Sequence, residues 1–199
     1  AGDAAIVGNV GPLLQPLTRE QFENESVPQP KRLFSHNDQQ STWMSSQPEG
    51  AQFGWGGRFA DAALASGANA TNREFTTITS LGNELFLTGA NALHYQIGLD
   101  HFEAMDFQSS NLIDRDVSNA MRTALTTNET FNQAFETVQP FATQFPSNFL
   151  GQQLQAIANT IAIRDALLVN RQVFFVAIGG FDTHSNQVND LPALQREID

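Results

Sequence analysis

The feature that most constrains the fold of this chain is a long amphipathic segment followed at once by a continuous apolar run. In residues 149–169, Leu150, Leu154 and Ile157 recur at helical spacing, which predicts one long helix. The next segment, 172–179 (QVFFVAIG), carries large apolar side chains in succession rather than in alternation. Such a run is typical of a strand covered on both faces in a parallel sheet, and a helix leading into it fits a right-handed crossover. The sequence therefore predicts an α/β sandwich with a parallel-rich central sheet flanked by helices.

Weaker patterns predict the remaining elements, with a loop at 13–30. We expect strands at 4–10 and 75–80, and helices at 56–66, 114–136 (with a break at 126–128 left open) and 191–199. The last helical segment stops at the end of the sequence. We therefore expect residues 1–199 to be a single α/β domain and an internal fragment of a longer protein.

Composition and charge narrow the classes of partner. The chain has 199 residues, of which 41% are hydrophobic, and this is enough to bury a core. Its formal net charge is −11 and Lys31 is its only lysine, so we expect no nucleic-acid partner, because phosphate neutralisation needs clustered cations. No apolar run approaches the roughly 20 residues of a membrane span. The composition, rich in Asn, Gln, Ser and Thr, favours an exported bacterial protein.

The sharpest candidate site follows the apolar run directly, in the segment GGFDTHSNQ at 179–187. Ligands of open α/β sheets bind at the carboxyl ends of strands, where Asp182 and His184 are expected. The chain has no cysteine, so a metal site must use nitrogen and oxygen ligands, and this pair suits Zn²⁺ or Mn²⁺. A second interpretation stays open, in which Asp182 or Thr183 caps the next helix and His184 is exposed.

Two further segments carry candidate residues. The polar segment 35–41, expected as a loop, repeats the same spacing with His36 and Asp38; a solvated turn is the alternative interpretation. In the Gly-rich segment 54–58, backbone amides and Arg58 could hold an anion. A simple boundary between a loop and a helix explains the glycines as well.

Three of these segments together resemble a known family. They are LFSHNDQQSTW at 33–43, GWGGRFAD at 54–61 and QVFFVAIGGFDTHSNQ at 172–187, with AIVGNVGPL at 5–13 in agreement. They are similar to the bacterial domain-of-unknown-function family 1501, whose members are usually exported. That family is grouped with the alkaline-phosphatase-like superfamily of metal-dependent phosphatases, sulfatases and phosphomutases.

The resemblance implies an alkaline-phosphatase-like fold with a two-metal site at the strand ends. Asp182 and His184 would be metal ligands, and His36 and Asp38 would line the same cleft. The upstream Gly-Gly-Asn-Asp and downstream Asp-His-Gly segments of the family are not found in this sequence, so no nucleophile is assigned. If only these residues are present, we expect an incomplete metal site and an inactive chain.

Two functions from different classes follow. The first is a metal-dependent hydrolase of phosphate or sulfate esters, or a fragment of one, with Zn²⁺ or Mn²⁺ held by Asp182 and His184 and the anionic ester oriented by Arg58. The second is a non-catalytic secreted binding or structural protein of the same fold. In that case exposed aromatic side chains such as Trp43 and Trp55 would bind a glycan or a partner protein.

Overall fold

A computed structural model describes residues 11–47, 50–82, 84–97, 112–196 and 198. The strand predicted at 4–10 lies outside these residues. The described helices are α1 (Arg19–Glu23), α2 (His36–Ser45), α3 (Trp55–Ala65), α4 (Leu112–Phe135), α5 (Phe149–Ala162) and α6 (Gln187–Arg196). The described strands are β1 (Thr77–Thr79), β2 (His94–Gln96) and β3 (Val173–Phe175), and single 3₁₀ turns lie at Arg73–Phe75 and Leu85–Leu87. None of the described helices is both long and apolar enough to cross a membrane.

The three described strands form one small, open, parallel sheet. Its order is β2–β1–β3, and Ile78 of β1 lies opposite Tyr95 on one side and Phe174 on the other. All three residues of β1 are 0% exposed, so the central strand is covered on both faces. The predicted mixed α/β class with a parallel sheet is confirmed at this level of detail.

The strand that the apolar run predicted to be covered on both faces is instead half-buried. Each residue of β3 is partly exposed, because β3 lies at an edge of the described sheet and β1 takes the centre. The central strand carries Thr77 and Thr79, whose polarity gave no sign of complete burial. Strand order, which local hydrophobicity does not encode, decides this difference.

The core lies against β1 and is closed by α4 and by the turns after α5. Its buried members are Phe75, Ile78, Ile97, Phe131, Ala134, Ile163, Leu167 and Val169. Tyr95 joins this cluster through its ring, with centroids 4.9 Å from Phe75 and 5.2 Å from Phe131. Aromatic pairs in this range add to the stabilisation from burial itself.

Helix α5 only partly buries the face that the apolar spacing predicted, because Ile157 is buried but other members of the apolar stripe are not. Leu154 and Ile161 are 42% and 41% exposed, whereas Gln153 and Thr160 are fully buried. Both buried polar side chains form hydrogen bonds within the protein. Thr160 donates to the Ala156 carbonyl at 2.8 Å, and the Gln153 amide donates to the carbonyl of Ala177, which follows β3. Satisfied polar groups can occupy a core, so the polarity of these residues misled the prediction.

Other boundaries differ locally from the predictions. Helix α4 is continuous through 126–128, and α5 ends at Ala162 and gives way to turns. The predicted loop at 13–30 contains α1, which begins at a capping box between Thr18 and Gln21. The helix predicted at 56–66 is confirmed as α3. The final helical pattern corresponds to α6.

Candidate metal centre

The first ligand candidate stands at the start of α2, where the sequence predicted a polar loop. Ser35 caps this helix, since its hydroxyl accepts a hydrogen bond from the Asp38 backbone N–H at 3.4 Å. His36 is consequently the first residue of the helix, and its side chain is 59% exposed. The segment is too polar to be identified as a helix by apolar periodicity, but its N-cap serine is a recognisable start signal.

The other two candidates stand in the irregular chain between β3 and α6. This chain turns sharply, with Gly180 at φ 93°, His184 at φ 45° and Asn186 at φ 61°. Histidine and asparagine adopt this left-handed region more readily than most residues do. Asn186 begins the hydrogen bonding of α6, because its carbonyl accepts hydrogen bonds from the Asn189 and Asp190 N–H groups at 2.9 and 3.2 Å. The described hydrogen bonds give Asp182 and Thr183 no capping role in α6.

The Asp182 carboxylate lies between two imidazoles. Its Oδ2 atom is 2.9 Å from His184 Nε2 and 3.3 Å from His36 Nδ1. The two imidazole rings stack, with centroids 5.6 Å apart and an interplanar angle of 27°. One ligand atom from each of the three residues lies within 4.8 Å of the other two. The fold therefore joins α2 to the chain after β3 at this point.

This arrangement has the donor set of an open metal site. Two imidazole nitrogens and one carboxylate oxygen are ligands that Zn²⁺ accepts, and a three-residue set leaves a coordination position for water or substrate. Cation-to-ligand distances of about 2.0–2.2 Å mean that small side-chain movements would bring the three atoms around one ion. All three side chains are exposed, at 58–72%, so a cation can reach them directly from solvent.

The two remaining site candidates lie elsewhere. Asp38 is not a member of the ligand group: it is 1% exposed, and its Oδ2 lies 3.6 Å from Arg32 Nη1. Within the described ranges, His36, Asp182 and His184 form the one converging group of three such residues, so a second cation site is not seen there.

Arg58 is an exposed residue in the first turn of α3, and it makes no side-chain hydrogen bond or ion pair to the described residues. The glycines around it allow close packing against the 85–89 segment. Gly54 donates its N–H to the Thr88 carbonyl at 2.9 Å, and a Cβ on Gly57 would collide with the Thr88 backbone. A loop-to-helix boundary with close packing therefore accounts for the glycines of this segment.

The sequence interpretation missed Gln153, a buried amide that contacts the chain leading to Asp182. A glutamine beside the apolar positions of a predicted helix was the available signal. Comparison with protein-family models, curated proteins and solved structures finds no match for this chain.

Proposed function

We propose that this chain binds a divalent cation, Zn²⁺ or Mn²⁺, through His36, Asp182 and His184, and that the loaded site hydrolyses a phosphate or sulfate ester. The observation that carries the proposal is the Asp182 carboxylate within 3.3 Å of both imidazoles, although His36 comes from a distant part of the chain. Mutual proximity of this donor set is what a cation site requires.

Each residue has a defined task in this proposal. The neutral imidazoles of His36 and His184 offer a ring nitrogen each, and Asp182 offers a carboxylate oxygen that lowers the net charge of the loaded site. A bound divalent cation polarises an ester oxygen and lowers the pKa of a coordinated water. Since the whole chain carries a net charge of −11, attraction of an anionic ester depends on the loaded site.

The exposure of the three ligands affects the size of substrate that the site would accept. With the ligands 58–72% exposed, the substrate need not enter an enclosed cavity, and an ester on a large molecule fits as well as a small one. We include an alkaline-phosphatase-like fold and an exported location in the proposal, on the resemblance of segments 33–43, 54–61 and 172–187. The role of Arg58 as the anion-orienting residue stays a prediction, since no described contact joins it to the three ligands.

The test is ester hydrolysis by protein stripped with a chelator and reloaded with Zn²⁺ or Mn²⁺. The sequence predicted an incomplete site, but α2 supplies His36 as a third ligand, and we therefore expect cation-dependent turnover of nitrophenyl phosphate or nitrophenyl sulfate. Turnover should be lost in His184→Asn, which tolerates the left-handed backbone but removes the imidazole. Asp165→Asn, at a carboxyl side chain that is 90% exposed and outside the group, is a surface control. Cation binding without turnover would remove the catalytic half of the proposal, and no binding would remove both halves.

A second candidate function rests on an exposed aromatic patch formed by Trp43, Trp55 and Phe59. These side chains are 54%, 43% and 64% exposed, and the Trp55 Nε1–H donates to the Trp43 carbonyl at 3.0 Å. Trp55 also packs edge-on against Phe59, with ring centroids 5.9 Å apart. Fixed aromatic faces of this kind offer stacking surfaces to the apolar faces of sugar rings.

Glycan binding is separable from the metal-dependent function by one comparison. We expect a saturable glycan ligand to be retained in chelator and lost in Trp43→Ala. A glycan screen without any hit would remove this candidate, while leaving the metal proposal intact.

A further inference from the structure

Two buried side-chain amides flank β3, one at each end. Asn69, 1% exposed, accepts hydrogen bonds at Oδ1 from the backbone N–H groups of Asn170 and Arg171, at 2.8 and 3.1 Å. These bonds hold the chain where it enters β3. Gln153, 0% exposed, holds the chain where it leaves β3.

The contact made by Gln153 is reciprocal. Its Nε2 donates to the Ala177 carbonyl at 2.9 Å, and its Oε1 accepts from the Ala177 N–H at 3.3 Å. A neighbouring strand would pair with the backbone in the same two-way manner. The Oε1 atom also accepts from the Ser80 hydroxyl at 3.1 Å, and this bond links Gln153 to the carboxyl end of β1.

We propose that Gln153 is a positioning residue for the metal ligands Asp182 and His184, because it fixes the backbone at Ala177 from which their loop departs. This inference rests on the proposed cation site. Gln153 lies on α5 and is not itself a ligand; it acts through the backbone.

Apart from Gln153, the chain between Ala177 and Asp182 has a close packing contact at Gly180, where an added Cβ would lie 2.8 Å from Leu194 Cδ2. It has no regular secondary structure, a Cβ on Gly179 would meet no atom within 4 Å, and Gly180 has φ 93°. Gln153 therefore supplies an anchor shortly before the loop reaches Asp182 and its contact with His36. If that anchor is lost, the loop samples more conformations, and cation binding must offset the cost of ordering it.

Two shape-matched substitutions separate positioning from general stability. Gln153→Met and Asn69→Leu each replace a buried amide by an apolar side chain of similar size, at opposite ends of the same strand. We expect both variants to melt at lower temperature without metal. Titration with Zn²⁺ should show about tenfold weaker affinity for Gln153→Met, toward the lower end of what supporting residues contribute, and less than about twofold change for Asn69→Leu.

A milder variant and a metal-free measurement keep the inference testable if Gln153→Met folds poorly. Ser80→Ala removes the hydroxyl that orients the Gln153 amide, and it should weaken Zn²⁺ binding in the same direction by a smaller factor. Deuterium uptake by residues 178–186 in metal-free protein should rise in Gln153→Met and Ser80→Ala, but not in Asn69→Leu.

Wild-type Zn²⁺ affinity and unchanged deuterium uptake in a folded Gln153→Met protein would overturn the inference, as would equal losses of affinity in the Gln153 and Asn69 variants. If the wild-type chain binds no Zn²⁺, the proposed function fails. The deuterium comparison then decides by itself whether Gln153 positions the loop.

Discussion

Zinc should stabilise this chain against heat, and Asp182→Asn should abolish most of that effect. Ligand that binds only the folded state at about one hundred times its Kd adds about 2.7 kcal/mol to the free energy of unfolding. For a domain of this size, about 2–4 °C of Tm per kcal/mol gives a rise of about 5–11 °C. Asp182 supplies the one carboxylate of the group, so its replacement by an amide removes the charge that lies between both imidazoles.

Two magnitudes are expected for the variant, one with zinc and one without it. If Asp182→Asn weakens zinc binding about 100-fold, the same zinc concentration adds only about 0.4 kcal/mol, a rise of about 1–2 °C. Without zinc the variant should differ little from wild type, because contacts between side chains 58–72% exposed contribute about 0–1 kcal/mol. The expected signature is therefore a loss of the zinc response with little change in the metal-free Tm.

Differential scanning calorimetry with and without Zn²⁺, supported by isothermal titration, measures both quantities. Asp165→Asn is the control, since it makes the same chemical change at an exposed carboxylate outside the ligand group. An equal zinc response in wild type and Asp182→Asn would refute the reasoning, because the cation would then be bound elsewhere. A large fall in the metal-free Tm of Asp182→Asn would refute the assumption that the exposed contacts are weak.

Two pH-dependent predictions follow from other described groups. Burial raises the pKa of Tyr95, the single tyrosine of the chain, to about 12. The stability that it contributes below its ordinary pKa of 10.0 is therefore lost progressively as the pH rises from there through about 12. Phenolate absorbance of folded protein should show this midpoint, and titration near pH 10 would contradict it. Burial acts to raise the pKa of Asp61, but hydrogen bonds from the backbone N–H groups of residues 90–92 leave it below 3.8. The stability that Asp61 contributes should be present above its ordinary pKa and lost as the pH falls through the lower folded value. Urea unfolding of Asp61→Asn should lack this loss at acid pH. Identical dependence of stability on pH in both proteins would contradict the assignment.

Local pattern alone identified several elements and two of the three members of the ligand group. The helix around 56–66 was predictable because its apolar residues repeat along one face and glycines precede it. Asp182 and His184 could be selected because a polar Asp-x-His follows an apolar strand pattern, and ligands gather at such strand ends. The ring of His36 could be suggested only as a candidate, because nothing in residues 35–41 indicates what they contact.

The parts that local pattern could not predict depend on what lies across space. Leu154 is exposed and Gln153 buried because Ala177 offers the glutamine amide two backbone partners, and no periodicity in α5 records that. Asp38 has the same spacing from His36 as His184 has from Asp182. Asp38 nevertheless faces Arg32, since side chains two residues apart on a helix point in different directions.

The amino-acid sequence by itself determined the mixed α/β class, the absence of thiolate ligands and the residue types able to hold a cation, because these follow from composition and local order. Tertiary structure alone decided that β1 is the central strand and that His36 meets Asp182 and His184. The physical reason is that a metal-ligand group needs atoms a few ångströms apart. Only the packing of α2 and of the chain after β3 brings residues so distant in sequence to that separation.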